Sequence, residues 1–349
     1  MSGAQKGSVD AQRAEDDLPV IGITMGDAAG IGPEITLKAL SDANLRKICR
    51  PVVIGDLGFL RMTASDLGLD LDFAGFDGGQ PISSDRLEVC DLKNLRCPVV
   101  AGHESGDTGR ASAEYIKAAV DLWKENRIDS IATAPISKKA ISLGGYDFPG
   151  HTEFLAELTG TREFAMSFFA ERLRVVLLST HVSLRDAIGL VKRDRLIKLI
   201  VFSHAKLSEL LDRNARIAVA GLNPHASEQG MFGAEEAVEI EPAIAVCRRE
   251  HGIDVSGPFS PDTIFLRGFR GEFDAVIACY HDQATIAVKS LSFGSSVNVT
   301  LGLPLIRTSV DHGTAFDIAG MGIADASSMK AAIKLAAELA VPWKFHEKQ

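Results

Sequence analysis

The chain has 349 residues, of which 46% are hydrophobic, 24% charged and only 6% aromatic, with 32 glycines. That length suits two domains, and low aromatic with high glycine content suits an α/β enzyme rich in tight strand–helix turns. The net charge of -9, with no compensating Lys/Arg block, excludes an electrostatic footprint for nucleic acid, so positive charge for an anionic ligand must be local.

Residues 1–17 (MSGAQKGSVDAQRAEDD) lack an apolar signal core and read as a disordered, charged tail. Five cysteines (Cys49, Cys90, Cys97, Cys247, Cys279) form no CxxC pair, which points to free thiols in a reducing compartment. No apolar run approaches the ~20 residues of a membrane span. A cytoplasmic protein is therefore expected. Strands are predicted at Pro19–Thr24, Pro51–Ile54, Asp129–Thr133, Phe164–Phe168, Leu173–Leu178, Ile217–Ala220, Ala275–Cys279 and Val297–Leu301. Helical patterns lie between many of them. Arg110–Asn126 places Ala113, Ile116, Ala119, Val120 and Trp123 on one stripe. Strands alternating with helices imply a parallel or mixed sheet covered on both faces.

Polar residues cluster at the predicted strand ends, where open α/β sheets bind ligands. Gly26-Asp27-Ala28-Ala29-Gly30-Ile31-Gly32-Pro33-Glu34 leaves a strand and opens a helix, with Pro33 in its first turn and Glu34 complementing the helix dipole. It is no GxGxxG fingerprint, and it also reads as a plain tight turn. His181, His225 and His281 each follow an apolar run. Three imidazoles with a carboxylate such as Asp262 suit a divalent transition metal, whereas any one histidine alone reads rather as a strand-end cap or a hydrogen-bonding residue. In Gly150-His151-Thr152-Glu153 the turn offers donors to an anion, or Thr152 caps a helix beginning near Glu153. Lys289, Asn298 and Arg307 together can hold a phosphate, or are solvated surface groups. His312-Gly313 in a glycine-rich loop allows close ligand approach, or is an ordinary turn.

Taken together, GDAAGIGPEI, GHTEF, THVSLRD, GLNPHASE, SPDTIF, YHDQ and NVTLGLPLIRTSVDHGTAFDIAG, in this order from about Ile21 to the C-terminus, resemble the 4-hydroxythreonine-4-phosphate dehydrogenase family, including its D-threonate and D-erythronate 4-phosphate paralogues. The resemblance implies a two-domain α/β/α fold similar to isocitrate and isopropylmalate dehydrogenases, with the active-site cleft between domains. Residues 18–135 with 290–349 would form the cofactor-side domain. Residues 136–289 would form the domain carrying the metal site and dimer contact. It implies metal ligands at His181, His225 and His281, and substrate contacts at His151, Thr152, Lys289, Asn298 and Arg307. His312, Gly313, Thr314 and Asp317 look like the loop that holds the adenosine end of NAD. Asp262, Lys138 and a metal-bound hydroxide are candidates for the proton acceptor.

The implied reaction is NAD-dependent, divalent-metal-dependent (Zn, Co, Mn or Mg) oxidation of 4-phosphooxy-L-threonine, then β-decarboxylation to 3-amino-2-oxopropyl phosphate, of the pyridoxal phosphate biosynthesis type. The alternatives are D-threonate or D-erythronate 4-phosphate decarboxylated to dihydroxyacetone phosphate and, in another class, a phosphate acyltransferase. The implied partners are a small phosphorylated hydroxy acid and a second subunit in a homodimer sharing its active sites, with no nucleic acid and no membrane. The chain departs from the family pattern at Ala28, where proline is usual, at Ala284-Thr285 after YHDQ, and at Ser227 and Gln229, where many members carry glycine.

Overall fold

The computed structural model describes residues 18–78, 86–148, 150–292 and 294–346, with side chains to residue 341. The predicted tail, residues 1–17, lies outside the described residues. No helix among the described residues is long and apolar enough to cross a membrane. The chain divides into two compact units, Met1–Thr161 with Leu303–Gln349, and Arg162–Gly302.

The first unit opens with β1 (Val20–Thr24), α1 (Gly32–Leu40), α2 (Ala43–Arg46), β2 (Arg50–Gly55), α3 (Leu57–Asp66), β3 (Phe73–Gly75), β4 (Leu87–Asp91) and α4 (Gly106–Lys124). It continues through β5 (Ser130–Thr133), α5 (Lys138–Leu143) and α6 (His151–Thr159). The chain then enters the second unit with β6 (Ala165–Ala170), β7 (Leu173–Leu177), α7 (Leu184–Leu190), α8 (Arg193–Leu211) and β8 (Ile217–Ala220). A 3₁₀ turn at Pro224–Glu228 and a π-turn at Glu236–Ile240 lead into α9 (Glu241–His251), followed by β9 (Val255–Phe259) and α10 (Pro261–Phe269). This unit ends with β10 (Ala275–Ala278), α11 (His281–Leu291) and β11 (Val297–Leu301). The chain returns to the first unit as β12 (Ile306–Ser309) and α12 (Ser327–His346).

In the first unit the strand order is β3-β4-β2-β1-β5-β12, all parallel. Ile21, Ile23, Val52, Val53, Ile54, Ile131 and Ala132 are buried, as expected of strands covered on both faces. α4 starts at Gly106, four residues before the predicted Arg110, where its N-cap Ser105 accepts the amide of Thr108 at 3.2 Å. Its predicted stripe holds: Ala113, Ile116, Ala119 and Val120 are buried and Trp123 packs against the same core.

In the second unit the order is β11-β6-β7-β10-β8-β9. The pairs β11/β6 and β6/β7 are antiparallel, whereas β7, β10, β8 and β9 run parallel. The core here is Phe168, Leu173, Val175, Ile264, Phe265 and Val276, with Ala218, Ala220 and Ala278 keeping the strands close to their covering helices.

The unit boundaries differ from those read in the sequence, 135/136 and 289/290. α5 and α6 pack on α4 and so belong with the first unit. β11 pairs along its full length with β6, from Val297↔Phe169 to Leu301↔Ala165, and so belongs with the second. Strands β3, β4, β9 and β12 were not foreseen. They are short or carry glycine, proline and charge, which blurs the apolar run that signals a strand.

Candidate active site

Four candidate residues of the second unit occupy one edge of its sheet. His181 follows β7, His281 follows β10, the segment bearing His225 follows β8, and Asp262 follows β9. These strands are consecutive neighbours in the order β7-β10-β8-β9 and parallel, so their carboxyl ends, and the loops after them, share an edge. Register explains the first meeting. Leu177 lies opposite Ala278, and Ser179 donates its hydroxyl to the Cys279 carbonyl at 2.9 Å. The His181 and His281 rings then stand 5.7 Å apart, centroid to centroid.

That spacing fits two imidazoles on one ion. With N–metal bonds of about 2.0–2.1 Å and about 1.1 Å from ring nitrogen to centroid, tetrahedral ligands place their centroids about 5 Å apart. Nδ1 of His281 lies 2.8 Å from Asp282 Oδ1, which orients the ring and leaves Nε2 for a ligand. His225 is held elsewhere in the chain: its ring lies 6.3 Å from that of Phe232. Among the described residues no three His, Cys, Asp or Glu side chains gather closely enough to hold a metal ion. The structure therefore brings two of the three expected histidines together within one chain. Asp262 lies in the first turn of α10, exposed, accepting the Ser260 hydroxyl at 2.5 Å.

His225 begins an uncommon backbone stretch. His225, Ala226, Ser227, Glu228 and Gln229 have φ of 52°, 51°, 69°, 46° and 55°. The left-handed region disfavours residues with a Cβ. The departures Ser227 and Gln229 fall within this run, so side chains stand where glycine would be unstrained.

The first unit carries Arg307, His151, Thr152 and Lys138. Arg307 lies on β12, opposite Ile131 of β5, and is 3% exposed. Its Nη2 donates to Thr133 Oγ1 at 2.8 Å. Burial pushes its pKa down to about 9, with the Glu153 carboxylate opposing, so it stays charged at neutral pH. His151 faces that charge. Burial and the Arg307 guanidinium hold its pKa well below the usual histidine range, so the imidazole is neutral. Its Nε2 is buried and has no hydrogen-bond partner among the described residues. The expectation that Thr152 caps a helix starting near Glu153 is corrected: the helix starts at His151, Gly150 is its N-cap, and no side chain caps it. Thr152 therefore sits in the first turn, at the helix N-terminus, where the helix dipole favours negative charge. Lys138 is the first residue of α5, capped by Ser137, and its Cε would lie 3.8 Å from a Cβ placed on Gly150.

Lys289 and Asn298 belong to the second unit. Lys289 is exposed near the end of α11. Asn298 is half-buried on β11, its Oδ1 buried without a hydrogen-bond partner among the described residues.

The 26–34 motif serves as a brace for the residue 312–324 loop. The Ile31 amide donates to the Thr314 carbonyl at 2.9 Å, and a Cβ on Gly30 would meet that carbonyl at 2.8 Å. Glu34 accepts the Ala324 amide at 2.8 Å and the Lys38 ammonium at 2.8 Å, and Lys38 donates to the carbonyls of Gly322 and Ala324. Gly102, at φ 78°, would bring a Cβ within 2.8 Å of the Phe316 carbonyl. Asp27 is wholly buried. Burial raises its pKa, against hydrogen bonds from Ala29 and Thr108 that lower it. In the loop itself, His312 Nδ1 lies 3.0 Å from the Gly313 carbonyl, its Nε2 is buried without a partner among the described residues, and Asp317 is exposed. Thr133, Glu153, Glu236 and Gln283 were not singled out from sequence. Their roles rest on contacts between distant segments, although Glu153 and Gln283 stand inside the GHTEF and YHDQ motifs.

A family model described as "Pyridoxal phosphate biosynthetic protein PdxA" matches residues 47–336. The D-threonate 4-phosphate dehydrogenase of Cupriavidus necator is 46% identical over 328 residues, 93% of this chain and 98% of that one. The 4-hydroxythreonine-4-phosphate dehydrogenase of Desulforapulum autotrophicum is 45% identical over 327 residues, 92% and 96% of the two chains. A crystal structure of 4-hydroxythreonine-4-phosphate dehydrogenase from Klebsiella pneumoniae superposes with a TM-score of 0.85 at 40% identity, covering 92% of this chain and 99% of that one. Fold and relatives together define a dehydrogenase acting on a CH–OH group. Within that class, the chain belongs to the PdxA family.

Proposed function

We propose that this enzyme oxidises the secondary hydroxyl of a 3-hydroxy acid 4-phosphate, using NAD, and then expels its carboxyl group as carbon dioxide. The reading is 4-phosphooxy-L-threonine as substrate and 3-amino-2-oxopropyl phosphate as product. The observation that carries it is the His181–His281 pair, whose 5.7 Å ring spacing suits one shared ion at the ligand-binding edge of the sheet.

His181 and His281 would hold a divalent cation, with His225 completing the set in a homodimer. An imidazole-rich set suits Zn, Co or Mn better than Mg. A second copy is supported by the exposed apolar side chains around the histidines: Val182, Leu184 and Ile188 beside His181, Met231 and Phe232 beyond His225, and Ile286 on α11. A bound cation supplies Lewis acidity to the substrate hydroxyl and stabilises the charge left by decarboxylation.

The residues of the chain bind, orient and move protons. Arg307, with the His151–Thr152 helix start, would receive the phosphate; Lys289 and Asn298, in the second unit, are proposed substrate-binding residues. The neutral His151 donates a hydrogen bond without adding charge. His312, Gly313, Thr314 and Asp317 would hold the adenosine end of the dinucleotide. A bound nicotinamide would supply the acceptor for the C3 hydride, and Asp262 or Lys138 would take the hydroxyl proton. The C1–C2 bond of the resulting β-keto acid then breaks, its electrons enter the C3 carbonyl, and C2 takes a proton.

A second reading, D-threonate 4-phosphate giving dihydroxyacetone phosphate, is favoured by the 46% identity to the Cupriavidus necator enzyme. It follows the same steps, with hydroxyl in place of amino at C2. The deciding experiment supplies each substrate, NAD and one metal to purified enzyme and follows reduced dinucleotide and carbon dioxide. Turnover of 4-phosphooxy-L-threonine alone supports the first reading, and turnover of the sugar acid alone supports the second. Dinucleotide reduction with neither overturns both.

A further inference from the structure

His225 hangs on a backbone that would not hold itself. Five successive residues with side chains, His225–Gln229, adopt positive φ, and such a run persists only where the surroundings over-determine it. Two buried side chains grip the segment just before it. Glu236 is fully buried in a π-turn, a feature often found at functional sites. It accepts the Leu222 amide at 2.8 Å, the Asn223 amide at 2.7 Å and the Asn223 Nδ2 at 2.9 Å. A Cβ on Gly221 would lie 3.2 Å from its Oε1, so the strand exit passes close against the carboxylate.

Gln283 grips the same exit from the neighbouring strand. It sits two residues beyond His281, in the first turn of α11. Its Oε1 accepts the Cys279 amide at 2.7 Å and its Nε2 donates to the Gly221 carbonyl at 2.8 Å. One amide side chain thus ties the exit of β10, which carries His281, to the exit of β8, which carries His225. Every hydrogen bond in this set ends on backbone or on Asn223 within three residues of a strand end. The arrangement orients a loop, and the loop bears a candidate ligand.

We propose that Glu236 and Gln283 are positioning residues that set His225 for cation binding, an inference that rests on the metal-site reading above. The test is cobalt(II) titration of the metal-free full chain, by calorimetry and by the visible absorption of the bound ion. Two variants are compared with wild type and with His225→Ala. Glu236→Gln keeps size and one acceptor oxygen but opposes Asn223 Nδ2 with a donor. Gln283→Met keeps volume and removes both bonds.

In each variant cobalt affinity should fall about 10- to 100-fold, with altered cobalt absorption, while the KM for dinucleotide stays within about twofold. Wild-type cobalt affinity in both variants, with cobalt lost in His225→Ala, overturns this inference and leaves the metal site standing. Wild type that binds no cobalt overturns both readings. Equal loss of cobalt and dinucleotide binding marks general damage and also overturns the positioning role. If Glu236→Gln fails to fold, Gln283→Met decides alone.

Discussion

Arg307 and Thr133 join two strands that lie 174 positions apart in the chain, through a guanidinium–hydroxyl bond of 2.8 Å inside the first unit. A buried guanidinium beside one hydroxyl, a neutral imidazole and Glu153 is a charge arranged for a ligand. Arg307→Ala should raise the KM for phosphorylated substrate about 10- to 100-fold, the worth of a charge-assisted hydrogen bond, and leave the dinucleotide KM within about twofold. Inorganic phosphate should raise the melting midpoint of wild type and not of the variant. An equal response in both proteins would remove Arg307 from the phosphate site.

Removing a histidine separates ligand from scaffold. His225→Ala should lose bound metal and at least ~10²-fold in turnover, because a catalytic cation needs its full donor set. Far-ultraviolet circular dichroism should stay as in wild type, since the side chain is exposed. Full activity of this variant in metal-free buffer would defeat the assignment.

The proton acceptor is decided by comparing Asp262→Asn with Lys138→Met. Loss of the true base should lower kcat at least ~10²-fold and remove one limb of its pH profile. The other variant should keep kcat within about tenfold. Unchanged kcat in both would exclude both residues.

Second-copy binding is read by sedimentation. Leu184 and Ile286 are 59% and 66% exposed, costly exposures for large apolar side chains flanking the histidines. Leu184→Glu combined with Ile286→Glu should shift a dimer to monomer and reduce cobalt binding with it. A variant that sediments as wild type would place the contact elsewhere.

Acid stability should depend on Asp274. Burial alone would raise its pKa, but hydrogen bonds from the Arg213 and Arg216 side chains and the Arg216 amide outweigh burial and hold it well below the usual carboxylate range. A depressed folded-state pKa contributes stability above the unfolded value of about 3.9, lost as pH falls through the lower folded value. Asp274→Asn should cost about 1–3 kcal/mol at neutral pH, with the gap to wild type closing below about pH 4. Urea unfolding at neutral and acid pH measures it, and a gap that widens in acid would contradict the sign.

Much of this architecture was legible because burial writes a pattern. Ile217–Ala220 and Val297–Leu301 read as apolar runs and are strands with the predicted bounds. The predicted edge was legible too, since His181, His225 and His281 each follow such a run. Arg307 was read as a phosphate ligand only within a polar stretch, and its strand went unseen because Arg, Thr and Ser interrupt the apolar signal of Ile306–Ser309. The role of Glu34 in holding the Ala324 amide was illegible, since 290 positions separate the partners.

Local sequence by itself determined the alternation of strands and helices, the motifs at the strand ends and the membership of the family. These follow from burial periodicity and from residue types set within a few positions of one another. Tertiary structure alone decided that β7, β10 and β8 are neighbours, that His181 meets His281 while His225 does not join them within one chain, and that Arg307 is buried against Thr133. Strand order and register are set by packing among segments distant in the chain, and no short-range pattern encodes them.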